Sequence, residues 1–415
     1  MTNKRVLMIA YHYPPVRASS GIQRTLKFSA YLRDHAWEPM VLTISPRAYE
    51  KVSDDQMGEI PTGMVVERAF GLDTARQLSF KGRYLRWMSL PDRWVSWWPM
   101  GVIKGLSLIR RYRPKAIFAT FPIATSPLIG LTLQRLTGLP LITDFRDSMT
   151  EPGYPADPLT WKIWTRLERA LVKHSTRVVF TTPGARQMYA ERYPEIPAER
   201  WTVIENGFDE ENFRDAEAGL NTNRLGPAGQ MVLVHSGILY PKERDPRPFF
   251  TALQRLKSEG QVSAAQLKVI LRATGSDDAY RDMLAKFGID DIVTVEPMVA
   301  YKTALQEMMR ADGLLLMQGG DCNHQIPAKL YEYARAGRPI VALTDFAGNT
   351  AELLGKLGSP LIANIADADS IRTVLLDCLA SWRSGQLHGV RREVAETCSR
   401  RSRSDELARL LEQIT

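Results

Sequence analysis

Residues 322–342 combine side chains that bind an anion with residues that start and stop a helix. Pro327 suits the first helical position, Gly337 the stop, and Pro339 the opening of the strand that follows. The helix then starts from a loop holding Gly319 and Gly320, with several backbone N–H groups unpaired. Such an end favours an anion, by roughly 0.3 to 1 kcal/mol for the dipole alone. Lys329 stands one turn inside, and Glu332 follows three residues later on the same face. Two readings of this pair are open: a cation for a diphosphate with a carboxylate for ribose hydroxyls, or an i,i+3 surface ion pair worth about 0.2 to 0.5 kcal/mol.

A second group lies in the first half of the chain. Asp144, Arg146 and Asp147 directly follow an apolar run, where doubly wound folds place active groups. They either act on a ligand or neutralise one another. Gly21 and Arg24 follow the first apolar run, with Arg17 just before them. Gly21 would allow close approach of a ligand to the backbone, and Arg17 or Arg24 would meet a phosphate. The alternative is a turn glycine and a surface arginine in the first turn of a helix.

These groups need elements to position them, and the chain supplies an alternation of strands and helices. Strand-like runs fall at 4–10, 39–44, 116–120, 140–143 and 177–182, and an amphipathic helix at 22–32. The alternation restarts with strands at 232–236, 267–273, 293–295, 313–317 and 339–343 and helices at 248–258 and 279–287. Between the two series, residues 203–230 are rich in Asn, Gly and Asp and read as linker and first connection. The expectation is two doubly wound α/β domains, 1–205 and 206–398, whose strand ends face one cleft. A terminal segment, 399–415, places Leu407, Leu410 and Leu411 at helical spacing behind Arg400, Arg401 and Arg403.

Four motifs, in order along nearly the whole chain, resemble the retaining glycosyltransferases of family 4. They are Asp144-Phe-Arg-Asp147, the run 203–209 (Val-Ile-Glu-Asn-Gly-Phe-Asp), the run 236–246 (Ser-Gly-Ile-Leu-Tyr-Pro-Lys-Glu-Arg-Asp-Pro) and the stretch from Ile326 to Val341. The resemblance implies the GT-B fold, with two Rossmann-like domains, and transfer of a sugar from a nucleotide diphosphate donor. It implies that Glu332 holds the donor ribose, that Arg244, helped by Lys242, holds the diphosphate, and that Gly237 forms the loop after the strand. His324, Gln325, Ile326 and Lys329 complete the donor-binding set, with Arg244, Lys329 and Asp144 as the catalytic residues and Gly21, Arg24, Arg146 and Asp147 on the acceptor side. Lys242, Arg244 and Arg247 also fit a solvated basic loop beside Glu243 and Asp245. The resemblance further implies retention without a bound metal or cofactor, and a last helix that crosses back to the first domain.

The chain departs from the family's pattern at His324. Many members carry a glutamate eight residues before the position of Glu332, and histidine stands there instead. His324, Asn323 or loop N–H groups then take over the sugar contacts, or the donor sugar differs. A bacterial polysaccharide-biosynthesis role follows from the subgroup that shares this form. An epimerase or phosphorylase of the same plan, or a catalytically silent nucleotide-sugar-binding subunit, are the rival readings.

Composition narrows the partners. The 415 residues are 44% hydrophobic and 24% charged, as in ordinary globular proteins. Cys322, Cys378 and Cys398 form no C-x-x-C pair, so neither disulfides nor structural zinc are expected. The apolar start is too brief for a signal peptide or a spanning helix, which places the protein in the cytoplasm. The net charge of +8 comes from the first half: residues 1–205 carry +11 and the rest −3. No nucleic-acid motif accompanies it, so a phosphorylated substrate or an anionic membrane surface is the expected partner, with a glycan or lipid-linked acceptor. Residues 83–99 place Trp87, Trp94, Trp97 and Trp98 beside Arg83, Arg86 and Arg93, which suits either the membrane headgroup region or packing under a loop.

Overall fold

The structure, a computed structural model, describes residues 4–17, 21–240 and 244–415. The chain divides into two units, Met1–Asn206 with Arg400–Thr415, and Gly207–Ser399. In the first, seven strands form one sheet: β1 (Lys4–Ile9), β2 (Trp37–Ile44), β3 (Val65–Ala69), β4 (Ala116–Phe121), β5 (Leu141–Phe145), β6 (Arg177–Phe180) and β7 (Trp201–Val203). Their order is β3-β2-β1-β4-β5-β6-β7, with every pairing parallel. A parallel sheet needs helices on both faces, so its strands must be apolar throughout. Val6, Leu7, Met8 and Ile9 accordingly have no solvent exposure.

The second unit holds β8 (Met231–Ser236), β9 (Leu267–Arg272), β10 (Val293–Glu296), β11 (Gly313–Gln318), β12 (Ile340–Thr344) and β13 (Ile362–Ala363), in the order β10-β9-β8-β11-β12-β13. Alternation along each strand divides the interior between two faces. Leu233, Leu315 and Met317 pack with Phe249, Phe250 and Leu253 of helix Arg247–Ser258. Val232, Val234, Leu314 and Leu316 pack on the other face with Leu330 and Tyr333 of helix Lys329–Ala336. Each sheet is doubly wound, as the sequence alternation predicts, and each reverses its strand order once. The reversal falls between β1 and β4 in the first unit and between β8 and β11 in the second. Ligands of open α/β sheets bind beyond the strand ends at such points.

The sequence reading omits β3, β7 and β13. β3 is a half-buried edge strand carrying Glu67 and Arg68, whereas β7 and β13 have three and two residues, too few for a periodic signal. The stretch read as a polar connection contains helix Glu210–Ala218, capped by Asp209 and seated by buried Phe213 and Ala216. The helix expected from Pro327 starts at Lys329 instead, because Leu330 N bonds Pro327 O at 2.9 Å in a tighter first turn. It ends where Gly337 takes φ 67°, a conformation natural to glycine.

The C-terminal helix Arg400–Ile414 is part of the first unit. Leu407 and Leu411 are fully buried there, and Trp37 Nε1 donates to Glu412 at 3.0 Å. Burial of each leucine contributes roughly 1.5 to 3 kcal/mol. The three cysteines are buried and form no disulfide. Among the described residues no helix is long and apolar enough to cross a membrane.

Candidate functional site

At the reversal point of the second sheet, β8 ends at Ser236 and hands the chain to Gly237, whose φ of 106° favours glycine. A Cβ on Gly237 would stand 3.2 Å from Lys329 Nζ, so the missing side chain also leaves room for the ammonium. Lys329 Nζ donates to His235 Nε2 at 3.1 Å, and His235 Nδ1 donates to Leu315 O at 2.9 Å. This chain fixes the imidazole tautomer. Burial, reinforced by the Lys329 charge, holds His235 well below the ordinary histidine range, so the ring is neutral. Burial also holds Lys329 well below the ordinary lysine range; the charge of Arg244 adds to this and Glu332 opposes it.

Arg244 lies in the loop beyond β8, with its N–H bonded to Tyr240 O at 2.8 Å. Its guanidinium donates to Gln318 Oε1 at 3.3 Å and Ile238 O at 3.0 Å, and stacks on Tyr240 5.2 Å away. Gln318 is the last residue of β11, so both strands at the reversal point hold this arginine. Arg244 and Lys329 therefore have neutral partners. No described carboxylate forms an ion pair with either. Glu332 Oε1 accepts from Tyr301 Oη at 2.7 Å, and its charge favours the Lys329 ammonium without an ion pair between them.

The loop between β11 and the helix is tied down from the side of β12. Asn323 Nδ2 donates to Asp345 Oδ2 at 2.7 Å, and Thr350 Oγ1 donates to Gln325 O at 3.1 Å. Ile326 is buried in the core beneath, so its side chain anchors the loop. His324 is half-buried with its Nε2 3.4 Å from the amide of Gln325. Lys242 lies outside the described residues.

The reversal point of the first sheet is built differently. Arg24 and Asp144 are 3% and 0% exposed and form a salt bridge at 2.8 Å. Arg24 also donates to Ile204 O at 2.8 Å and Glu205 O at 2.9 Å, and Asp144 accepts from Thr120 at 2.8 Å. These groups are satisfied within the first unit, the arrangement expected where neighbouring opposite charges neutralise one another. Arg146 joins three loops by donating to Gly21 O, to Phe121 O at 2.8 Å and to His12 Nδ1 at 3.2 Å. Burial, with the charge of Arg146, pushes His12 down to about 3, which keeps it neutral. Asp147 is open to solvent at the loop tip although closely surrounded, and Arg17 is exposed.

His235, Gln318, Tyr301 and His12 escaped the sequence reading. A signal existed for His235 and Gln318: each puts a polar group at the end of an otherwise apolar strand, and a buried polar group must have a partner. His12 also follows a buried strand, whereas Tyr301 carried no signal.

Residues 20–207 match the family model described as a glycosyl transferase 4-like domain. No curated protein matches the chain by sequence. Among solved structures, sucrose-phosphate synthase from Thermosynechococcus elongatus is similar with a TM-score of 0.70 at 14% identity, over 99% of this chain and 98% of that one. The α,α-trehalose-phosphate synthase (UDP-forming) of Burkholderia xenovorans, in complex with glucose-6-phosphate, gives 0.63 at 13% identity, covering 98% and 99%. An E. coli structure described as trehalose-6-phosphate bound with UDP-2-fluoro glucose gives 0.64 at 13%, covering 99% and 100%. With both sheets doubly wound and solved structures similar over nearly their whole length, the chain has the GT-B fold, and its residues 20–207 are similar to the glycosyl transferase 4-like domain.

Proposed function

We propose that the protein transfers a sugar from a nucleotide diphosphate donor to a hydroxyl of a glycan, lipid-linked or small-molecule acceptor, with retention of anomeric configuration. The observation that carries this reading is that Lys329 reaches Gly237 and Arg244 reaches the next residue, Ile238, two basic side chains held by neutral partners at the point where the second sheet reverses. A diphosphate supplies the missing negative charge. Arg suits a phosphate fork and Lys a point charge. Glu332, steadied by Tyr301, is placed three residues along the helix to receive ribose hydroxyls.

In the proposed step the bond from the sugar's anomeric carbon to the diphosphate oxygen breaks, and a bond to the acceptor oxygen forms on the same face. The acceptor proton passes to the departing diphosphate. Negative charge grows on that leaving group, and preorganised cations act on such growing charge more than any other device. In this reading the charge of Arg244, with that of Lys329 once a bound diphosphate favours its ammonium, takes the role that a metal ion has in other enzymes, so the reading includes metal-independent transfer. The UDP-sugar and sugar phosphate named with the structural neighbours support a nucleotide-sugar donor. A cytoplasmic role in polysaccharide biosynthesis is the proposed setting.

A thermal-shift panel of UDP-, GDP-, ADP- and dTDP-sugars tests the donor, because a ligand bound only by the folded state raises the melting temperature. One nucleotide class should shift the wild type, and Glu332→Gln should weaken that shift. A panel without any shift would remove the reading. With the donor known, NMR of the product should show the donor's anomeric configuration, and EDTA should leave the rate unchanged. Donor consumption without acceptor would favour the epimerase alternative.

A further inference from the structure

The sequence places its tryptophans at 87, 94, 97 and 98 together, but the structure separates them. Trp97 is fully buried, and Trp94 packs against the first domain's core with Arg93 over its ring at 4.7 Å. Trp98 is 38% exposed and donates to Thr132 at 3.0 Å. Only Trp87, at 69%, is largely open. It belongs to a short projecting element that includes residues before the tryptophan cluster.

That element begins with a two-residue hairpin. Phe80 and Arg83 exchange backbone bonds of 2.8 and 3.0 Å around Lys81 and Gly82, both with positive φ, the backbone of a tight turn that matches strand twist. Phe80 is 78% exposed, and Leu85 61%. Tyr84, Lys81, Arg83 and Arg86 are exposed among them. From Thr74 to Pro91 there is no acidic residue, while Arg76, Lys81, Arg83 and Arg86 are all cationic. The element is held at its base: Thr74 Oγ1 donates to Met88 O at 2.6 Å, Trp164 Nε1 donates to Pro91 O at 2.6 Å, and Arg86 pairs with Asp157. Asp157 begins helix Pro158–His174, whose Leu159 and Trp161 are exposed as well.

We propose that the element 80–87 is a membrane-docking device that places Phe80, Leu85 and Trp87 in the headgroup region of an anionic bilayer while Lys81 and Arg83 meet lipid phosphates. Three features favour a bilayer over a protein partner. The exposed groups are the mixture of aromatic and aliphatic side chains that partitions to the interface. The charge is of one sign throughout, which complements an anionic surface. Phe80 also flanks the tight turn and Trp87 belongs to the short 3-10 turn Arg86–Ser89, so both apolar rings are held exposed by local backbone structure. Membrane contact of this kind is reversible, because neither a spanning helix nor a lipid chain is involved.

The proposal does not depend on the catalytic reading, since its test uses neither donor nor acceptor. The full-length protein is sedimented with vesicles of phosphatidylethanolamine and phosphatidylglycerol, or of phosphatidylcholine alone, at low and high salt. The wild type should bind the anionic vesicles at low salt, with at least tenfold less bound to phosphatidylcholine or at high salt. Combined substitution of Phe80→Ser, Leu85→Ser and Trp87→Ser, and separately of Lys81→Ser and Arg83→Ser, should each lower the bound fraction at least fivefold with unchanged melting temperature. Wild-type protein left in the supernatant, or folded variants that bind as it does, would overturn the proposal. Concentration-dependent dimerisation abolished by the triple substitution would also overturn it, by showing that a second copy covers these residues.

Discussion

The reversal points of the two sheets use the same residue types for opposite ends. In the first domain the buried arginine meets a buried carboxylate: Arg24 and Asp144 neutralise each other at 2.8 Å, and backbone carbonyls take the remaining donors. In the second domain the cations Arg244 and Lys329 meet an amide, a carbonyl and a neutral imidazole. The first arrangement is satisfied without a ligand. The second is electrostatically incomplete, and burial makes the deficit larger because water screens it less. Charge near a strand end therefore says little about function until its partners are known.

The largest effect that separates the two regions is on folding. Asp144→Ala leaves Arg24 buried and uncompensated, a change that costs about 3 to 5 kcal/mol. For a domain of this size that is about 10 °C in melting temperature. Lys329→Met removes a charge that burial and Arg244 already disfavour, so the melting temperature should stay the same or rise. Thermal denaturation of the two variants measures the contrast directly. Equal losses in both would erase the distinction between a structural and a ligand-ready site.

The next effect is on turnover. Arg244→Ala should lower kcat by about 10² to 10³, the usual consequence of removing one donor that stabilises charge formed in the transition state. Donor affinity should fall less, since the benefit is greatest when the leaving diphosphate is fully charged. Steady-state kinetics with the donor identified by thermal shift checks both numbers. A variant with wild-type kcat would leave Arg244 as a loop arginine stacked on Tyr240.

What the sequence made legible follows from periodicity. Apolar runs such as 6–9, 232–234 and 314–317 are buried on both faces and announce parallel strands, and Gly237 and Gly337 mark turns that require positive φ. The loop and helix of 322–337 were readable because their residues are local in sequence. Partnership was not readable. Arg24 and Asp144 are 120 residues apart, and nothing in their local sequence shows that each is consumed by the other. The tie between Lys329 and His235 crosses 94 residues in the same way. Short edge strands were lost for a different reason: two or three residues carry no period, and pairing with a longer neighbour decides their conformation.

The smallest and most specific consequence of the comparison is a proton taken up when a diphosphate binds. Without ligand, Lys329 has a folded-state pKa well below its unfolded value, so between the two the unfolded chain holds more protons and stability rises with pH. A diphosphate beside Nζ favours the ammonium and moves that pKa upward. The bound state then holds more protons than the free state, so affinity must fall as pH rises, by no more than about tenfold per pH unit for one proton. The other titratable groups facing Lys329 do not confuse the measurement between pH 7 and 9. His235, held well below the ordinary histidine range, is already neutral there. Calorimetry of nucleotide diphosphate binding in buffers of different ionisation enthalpy should show net proton uptake, and Lys329→Met should abolish it. Uptake that persists in Lys329→Met would assign the proton to another group, and its absence from the wild type would mean that Lys329 is already fully charged before the ligand arrives.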